Sequence, residues 1–232
     1  MSLPLAIVDY RLPKEAISIL QHFAEVLPFN AQGLTFDAVH GHPDIFMSQV
    51  DNQLIIAPNS SKYFIDTLIH KNISFRFGVK SVGSEVENST PYNCVSTFDY
   101  LIHKEGFTDF EVLNASKHKT FINLPQPFTR CSLFVFGDTH FITSDKGIYN
   151  VLINKGLDVL FISPKEISLP PYKNGFIGGC LGVFEDKIFF SGSTDYLTDG
   201  ASLKAYIEKN EFQLVELFKG APLDVGGFFF IS

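Results

Sequence analysis

Along this chain, short apolar runs alternate with polar turns, and one order of elements returns again and again. Between residues 128 and 192 it occurs twice. Ser132-Leu133-Phe134-Val135-Phe136 runs to an acidic turn at Gly137-Asp138 and returns through His140-Phe141-Ile142-Thr143. Leu181-Gly182-Val183-Phe184 runs to Glu185-Asp186 and returns through Ile188-Phe189-Phe190-Ser191. Two apolar runs about an Asp-containing turn predict a β-hairpin. Between the two hairpins, Ile148, Val151, Leu152 and Ile153 have helical spacing, Gly156 stops the helix, and residues 157–162 form a strand. The unit is therefore helix, strand, loop, hairpin.

The same unit is legible elsewhere. A strand at 5–9 precedes a helix at 15–23, a strand at 26–29 and a hairpin, 45–50 and 54–57, turning at Asp51-Asn52. A helix at 61–70, a strand at 73–77 and a hairpin turning at Phe98-Asp99 make a second unit. A third, less regular, has a helix at 110–115 and a strand at 119–124 ahead of the Phe128 hairpin. The last has a helix at 201–208, a strand at 213–217 and a single strand at 227–231 with no return partner. The surplus first strand, 5–9, supplies that partner if the two ends of the chain meet. Copies at a spacing of roughly 45 residues mark a repeat architecture, and no copy can bury both its faces alone. The prediction is an α/β fold, a five-bladed α/β propeller over residues 1–232 as one domain, with hairpins inward and helices outward. A doubly wound sheet is the alternative, but purely parallel sheets contain no hairpins.

Composition narrows the class. Of 232 residues, 45% are hydrophobic, only 19% are charged and 25 are Phe, so the chain folds around a large core. A net charge of −7 argues against a nucleic-acid partner. No apolar run is long enough to span a bilayer, so no membrane role is expected. The N-terminal residues lack a basic segment ahead of a long apolar one and read as mature fold instead of a secretory leader. Three widely spaced cysteines make neither a disulfide framework nor a zinc ribbon, which fits reduced thiols in the cytoplasm.

Aligning the units by their turns places Cys94, Cys131 and Cys180 in equivalent slots, with Asp44 in the same slot of the first unit. A closed ring would bring them to one mouth of its axis. There Cys131 or Cys180 could be nucleophiles or small core residues. His42-Pro43-Asp44 puts two polar groups into an apolar stretch: His42 as an acid/base with Asp44 orienting it, or both as turn residues. With His40 they also suggest a metal site, though no further ligand or supporting group is signalled, and neither metal nor other cofactor is expected. Arginine occurs only as Arg11, Arg76 and Arg130. Arg11 follows Asp9 and Arg130 adjoins Cys131, so either could hold a substrate carboxylate or pair with a structural Asp. Asp145-Lys146 reads as a helix start with Asp145 as its cap, although strand ends around the axis lie close by.

Val8-Asp9-Tyr10-Arg11, Gly41-His42-Pro43-Asp44, Cys131-Ser132, the run from Ile142 to Ile148 and Gly175-Phe176-Ile177-Gly178-Gly179 resemble an uncharacterised bacterial family assigned the guanidine-modifying-enzyme, or pentein, fold. The resemblance covers essentially the whole chain. It implies the five-bladed fold and a small-molecule ligand, with guanidino or amidino compounds as candidates. Catalytic members of that superfamily attack a guanidinium carbon with a cysteine, use a histidine as acid/base and bind the cation with acidic residues. By resemblance, the hydrolase reading casts His42, Asp44, Cys131 and Cys180 as catalytic and Asp9, Arg11, Arg130, Asp145 and Lys146 as substrate-binding. Their cysteine, however, follows a glycine-rich segment in the last repeat. Here that segment is Val225-Gly226-Gly227-Phe228-Phe229-Phe230-Ile231-Ser232, with no cysteine. The alternative is a non-catalytic member that binds a small ligand or a protein, as the superfamily's ribosome anti-association branch does. The identity of any protein partner stays open.

Overall fold

The computed structural model describes residues 3–231; Met1, Ser2 and Ser232, which the N-terminal segment and the glycine-rich tail of the sequence reading include, lie outside it. The described chain forms five three-stranded sheets, each built the same way. A first strand pairs antiparallel with a second, which pairs parallel with a third after a helical crossover; a hairpin joins the first two in four of the sheets, and in the fifth they come from opposite ends of the described chain. In chain order the elements begin with β1 (Leu5–Asp9), α1 (Lys14–Leu20) and β2 (Glu25–Phe29). A short helical turn, α2 (Pro43–Phe46), leads into β3 (Met47–Val50), β4 (Gln53–Ile56), α3 (Lys62–His70) and β5 (Phe75–Phe77). Next come α4 (Val86–Ser89), β6 (Val95–Ser96), β7 (Tyr100–His103), α5 (Phe110–Ala115) and β8 (Thr120–Asn123). The helical turn α6 (Thr129–Ser132) precedes β9 (Leu133–Phe136), β10 (His140–Thr143), α7 (Lys146–Ile153) and β11 (Asp158–Phe161). A 3₁₀ turn at Ile177–Cys180 precedes β12 (Leu181–Phe184), β13 (Lys187–Phe190), α8 (Gly200–Lys209), β14 (Gln213–Glu216) and β15 (Phe229–Ile231).

Local chemistry explains the repeat. In the β3–β4 and β12–β13 hairpins two residues separate the paired ends, Val50 with Gln53 and Phe184 with Lys187. Such tight turns match strand twist only when the backbone turns left-handed, and Asp51 and Glu185 do so at φ 52° and 53°. Three of the five crossover helices start on side-chain caps: Ser61 accepts from the Phe64 N–H, Asp109 from Glu111 and Asp145 from Ile148. Each helix then turns its apolar stripe to the sheet, as α7 does with Ile148 and Leu152 and α3 with Phe64 and Leu68.

Burial sorts the strands by position. The first strand of each sheet is largely buried, the second nearly wholly so, and the third is half exposed. Successive first strands touch one another: β3 packs on β6, β6 on β9, β9 on β12 and β12 on β15. The sheet β15-β1-β2 joins the two ends of the chain, with Leu5 opposite Ile231 and Ile7 opposite Phe229. A single doubly wound sheet does not form, because no sheet exceeds three strands.

Residues 181–184 form the expected strand, whereas the strands expected at 45–50 and 132–136 start two residues and one residue later. Pro43–Phe46, Thr129–Ser132 and Ile177–Cys180 are single helical turns, and Cys131 and Cys180 stand on them just ahead of the strands. Pro43 favours this at the first helical position, where a missing N–H costs nothing. These turns bring the Cys131 thiol to the Asp44 carboxylate.

Candidate functional site

Three groups of polar side chains meet where those helical turns and the 224–227 segment come together. The first is anchored on β1. Asp9 ends that strand with its side chain 1% exposed, held by Arg11: Nε lies 2.9 Å from Oδ1, Nη2 lies 2.6 Å from Oδ2, and the Arg11 backbone N–H donates to Oδ1 at 2.8 Å. Arg11 also donates to the carbonyls of Asp37 and Ala38, which ties the loop before His42 to β1. The hydrogen bond to Asp9 keeps the Arg11 cation protonated above its ordinary range. Gly41 passes directly over the Asp9 carboxylate, and a side chain there would overlap it.

His42 sits fully buried between two carboxylates. Its Nε2 is 3.8 Å from Asp9 Oδ2 and its Nδ1 is 3.7 Å from Asp224 Oδ1, and neither ring nitrogen has a hydrogen-bond partner among the described residues. Burial lowers the His42 pKa, opposed first by Asp224 and then by Asp9. Asp224 accepts from the N–H groups of Phe176 and Gly226 and lies against Gly175 and Gly179, where a Cβ would collide with it. Burial raises the Asp224 carboxyl to about 6, with His42 pulling it back.

The second group surrounds Asp44. Cys131 Sγ donates to Asp44 Oδ2 at 3.0 Å. Asn93 bridges the pair: its Nδ2 donates to the Asp44 carbonyl at 3.0 Å and to Cys131 Sγ at 3.1 Å, while its Oδ1 accepts from the N–H groups of Arg130 and Cys131. Asp44 is fully buried, its Oδ1 has no partner among the described residues, and burial raises its carboxyl to about 6. Burial likewise pushes the Cys131 thiol well up, and the Asp44 charge pushes it further.

The third group is Arg130 in a cavity of about 170 Å³, lined from each of the first strands by Gln49, Ser96, Phe134, Val183 and Phe229. Nη1 donates to the Gly178 carbonyl at 2.7 Å and Nη2 to that of Leu181 at 3.2 Å. The guanidinium lies over the rings of Phe134 and Phe229, at 5.6 and 5.7 Å from their centroids.

Of the residues singled out from sequence, Asp9, Arg11 and His42 form one group, and Asp44, Cys131 and Arg130 stand side by side with it. Cys180 joins neither by contact; its Sγ donates to the Phe176 carbonyl at 3.4 Å, and burial raises its thiol, with Asp224 adding to the effect. Cys94 pairs with Ser48 Oγ at 3.1 Å, and burial lifts it to about 11. None of the three thiols hydrogen-bonds a histidine among the described residues. Asp145 spends its carboxylate on capping α7, and Lys146 is exposed on that helix, so both lie outside the cluster. His40 bonds the Tyr10 hydroxyl through Nε2 and does not join His42 and Asp44; no group of three or more His, Cys, Asp or Glu among the described residues is arranged to hold a metal ion. Asp224 and Asn93 were not picked out from sequence. Asp224 carried a faint signal two residues before Gly226-Gly227, and Asn93 adjoins Cys94 in the aligned slot.

Chemically, the arrangement is a buried store of protons and hydrogen bonds next to a cation-bearing cavity. It lacks the thiol–imidazole contact that activates a nucleophilic cysteine.

Comparison with solved structures assigns the fold. Over 97% of this chain and 94% of theirs, it superimposes on an amidinotransferase of saxitoxin biosynthesis from Microseira wollei, with a TM-score of 0.58 at 12% identity. DDAH from Pseudomonas aeruginosa, in complex with citrulline, gives 0.55 at 8% identity over 93% and 92% of the two chains. An agmatine deiminase from C. jejuni gives 0.56 at 6% identity over 93% and 88%. The protein thus has the α/β fold of the guanidine-modifying, or pentein, class. Within it, the chain belongs to the family described as "Family of unknown function (DUF6873)", whose model matches residues 7–229. No curated protein sequence matches it significantly. No helix among the described residues is long and apolar enough to cross a membrane.

Proposed function

We propose that the chain closes its sheets into a five-bladed propeller, as one domain, and uses the axis of that ring to hold a small molecule without cysteine chemistry. Ring closure is supported by the succession of first-strand contacts and by Gln49 on β3, whose Nε2 donates to the Phe230 carbonyl on β15 at 3.0 Å. The cavity lined from all these strands supports an axial ligand. Guanidino and amidino compounds are the first candidates, because the structures of similar fold are named for such chemistry and one of them holds citrulline. The chain is acidic, which disfavours nucleic acid as the partner, and its three free cysteines fit a cytoplasmic location.

One observation carries the non-catalytic reading: Cys131, the thiol nearest the cluster, donates its proton to Asp44 and meets no imidazole. A thiolate formed there would face a buried carboxylate, which opposes its formation. In this reading His42, Asp44 and Asp9 fix the floor of the site, Asp145 and Lys146 shape α7, and neither Cys131 nor Cys180 attacks a substrate. Thiol reactivity against pH, with Cys94, Cys131 and Cys180 each replaced by Ala, tests it alongside thermal shifts with a panel of guanidino and amidino compounds. Three slow thiols and a saturable rise in Tm are expected. One fast thiol with a depressed pKa, protected by a compound of the panel, would establish the hydrolase reading instead.

A further inference from the structure

We infer that the axial cavity recognises a small carboxylate through Arg130, so that the site reads the anionic end of its ligand and not a guanidinium. This rests on the axial small-ligand reading above and gives it a chemical class.

The first ground is the state of the Arg130 fork. An arginine carries five N–H donors, and the carbonyls of Gly178 and Leu181 take one from each terminal nitrogen. The Nε–H and the remaining N–H on Nη1 and Nη2 have no partner among the described residues. No Asp or Glu among those residues pairs with Arg130 within ion-pair distance. Asp44 and Asp224 act on it only at longer range. Arg130 is half-buried, so water can meet these donors in the free protein, and an anion that displaces that water gains charge-assisted hydrogen bonds in a largely apolar surrounding.

The second ground is that the fork is held still. Asn93 Oδ1 accepts from the Arg130 backbone N–H at 2.8 Å. Gly227, at φ 70°, leaves room for Nη2, since a Cβ there would stand 2.8 Å away. With the rings of Phe134 and Phe229 against its faces, the guanidinium presents a fixed edge. Fixed, planar and poorly hydrated donors suit bidentate binding of a carboxylate, and the apolar wall strengthens it.

The third ground is what else lines the cavity. No acidic side chain does; the other polar groups are Gln49, Cys94 and Ser96. Ser96 Oγ is buried without a partner among the described residues and offers the ligand a second polar contact. A guanidinium entering here would meet a like charge and no carboxylate. The volume, about 170 Å³, equals about six waters at roughly 30 Å³ each, which suits acetate, propionate or a small amino acid.

The test is calorimetric titration of the full chain with sodium acetate, sodium propionate, guanidinoacetate and methylguanidinium chloride at constant ionic strength. The carboxylates and guanidinoacetate should bind saturably and methylguanidinium should not. Arg130→Lys should weaken carboxylate binding at least about tenfold, because the bidentate edge is lost. Val183→Phe fills the cavity from another strand while leaving Arg130 in place and should abolish binding, which keeps the test decisive if Arg130→Lys folds poorly. Methylguanidinium binding without acetate binding would overturn this inference and leave the small-ligand reading standing. Carboxylate binding unchanged in both variants would overturn it by placing the anion elsewhere. No binding by any of the probes would overturn both.

Discussion

Asp44→Asn gives a stability change with a defined pH profile. Asp44 is fully buried, and burial raises its carboxyl to about 6; in an unfolded chain an Asp titrates near about 3.9. A raised acid binds its proton more tightly in the fold. Below about pH 4 both states are protonated and the group costs nothing. From there to about pH 6 the wild type loses stability by about 1.4 kcal/mol per pH unit, and above that the penalty is constant. The total is about 3 kcal/mol. Asn is nearly isosteric with the protonated acid, and its side-chain oxygen can still accept from Cys131, so the variant escapes this penalty. His42 and Asp224 titrate in both proteins and largely cancel in the difference. Urea unfolding of both proteins from pH 4.5 to 8 should show the variant's relative stability rising with pH to a plateau near pH 6.5. A difference that is flat with pH would refute the assignment of a buried, proton-binding carboxyl at position 44.

Other perturbations have equally specific outcomes. Gly41→Ala forces the buried Asp9 carboxylate to shift against Arg11, whose guanidinium is partly exposed, and should cost about 1–3 kcal/mol, the penalty for a buried polar group left without part of its hydrogen bonding; urea unfolding measures it. Asn93→Ala leaves the Cys131 N–H and the Asp44 carbonyl without this partner and should cost about 2–6 kcal/mol, at roughly 1–3 kcal/mol for each of the two buried groups, with a calorimetric Tm as readout. Replacing Lys146 with Ala should leave both Tm and carboxylate binding unchanged, since that side chain is exposed on α7.

Much of the fold could be read from the chain because its signals are local. The helix at Phe110–Ala115 follows an Asp cap, and the turns at Asp51-Asn52 and Glu185-Asp186 are framed by apolar runs, so nearest-neighbour chemistry suffices. The turns at Pro43–Phe46 and Thr129–Ser132 were hidden, since four residues carry no helical period and their apolar members read equally well as strand. The site was legible only in part for a different reason. Asp9, Arg11 and His42 drew notice as polar residues beside apolar strands. Asp224 gains its meaning only from a partner 182 positions away, the separation of His42 and Asp224 along the chain. The pairing of Cys131 with Asp44, and not with a histidine, is a matter of side-chain direction in two helical turns, which spacing alone does not encode.

The pairing of β15 with β1 also sets a schedule. Leu5 cannot find Ile231 until residue 231 has left the ribosome, and contacts so distant in sequence are slow to form. Asp9 ends that β1 strand, Asp224 lies five residues before β15, and His42 is gripped between them. A nascent or truncated chain can assemble the four other sheets and still have no finished site. The binding proposed for this site therefore waits on the synthesis of β15, and a fragment lacking that strand is expected to compete for no ligand.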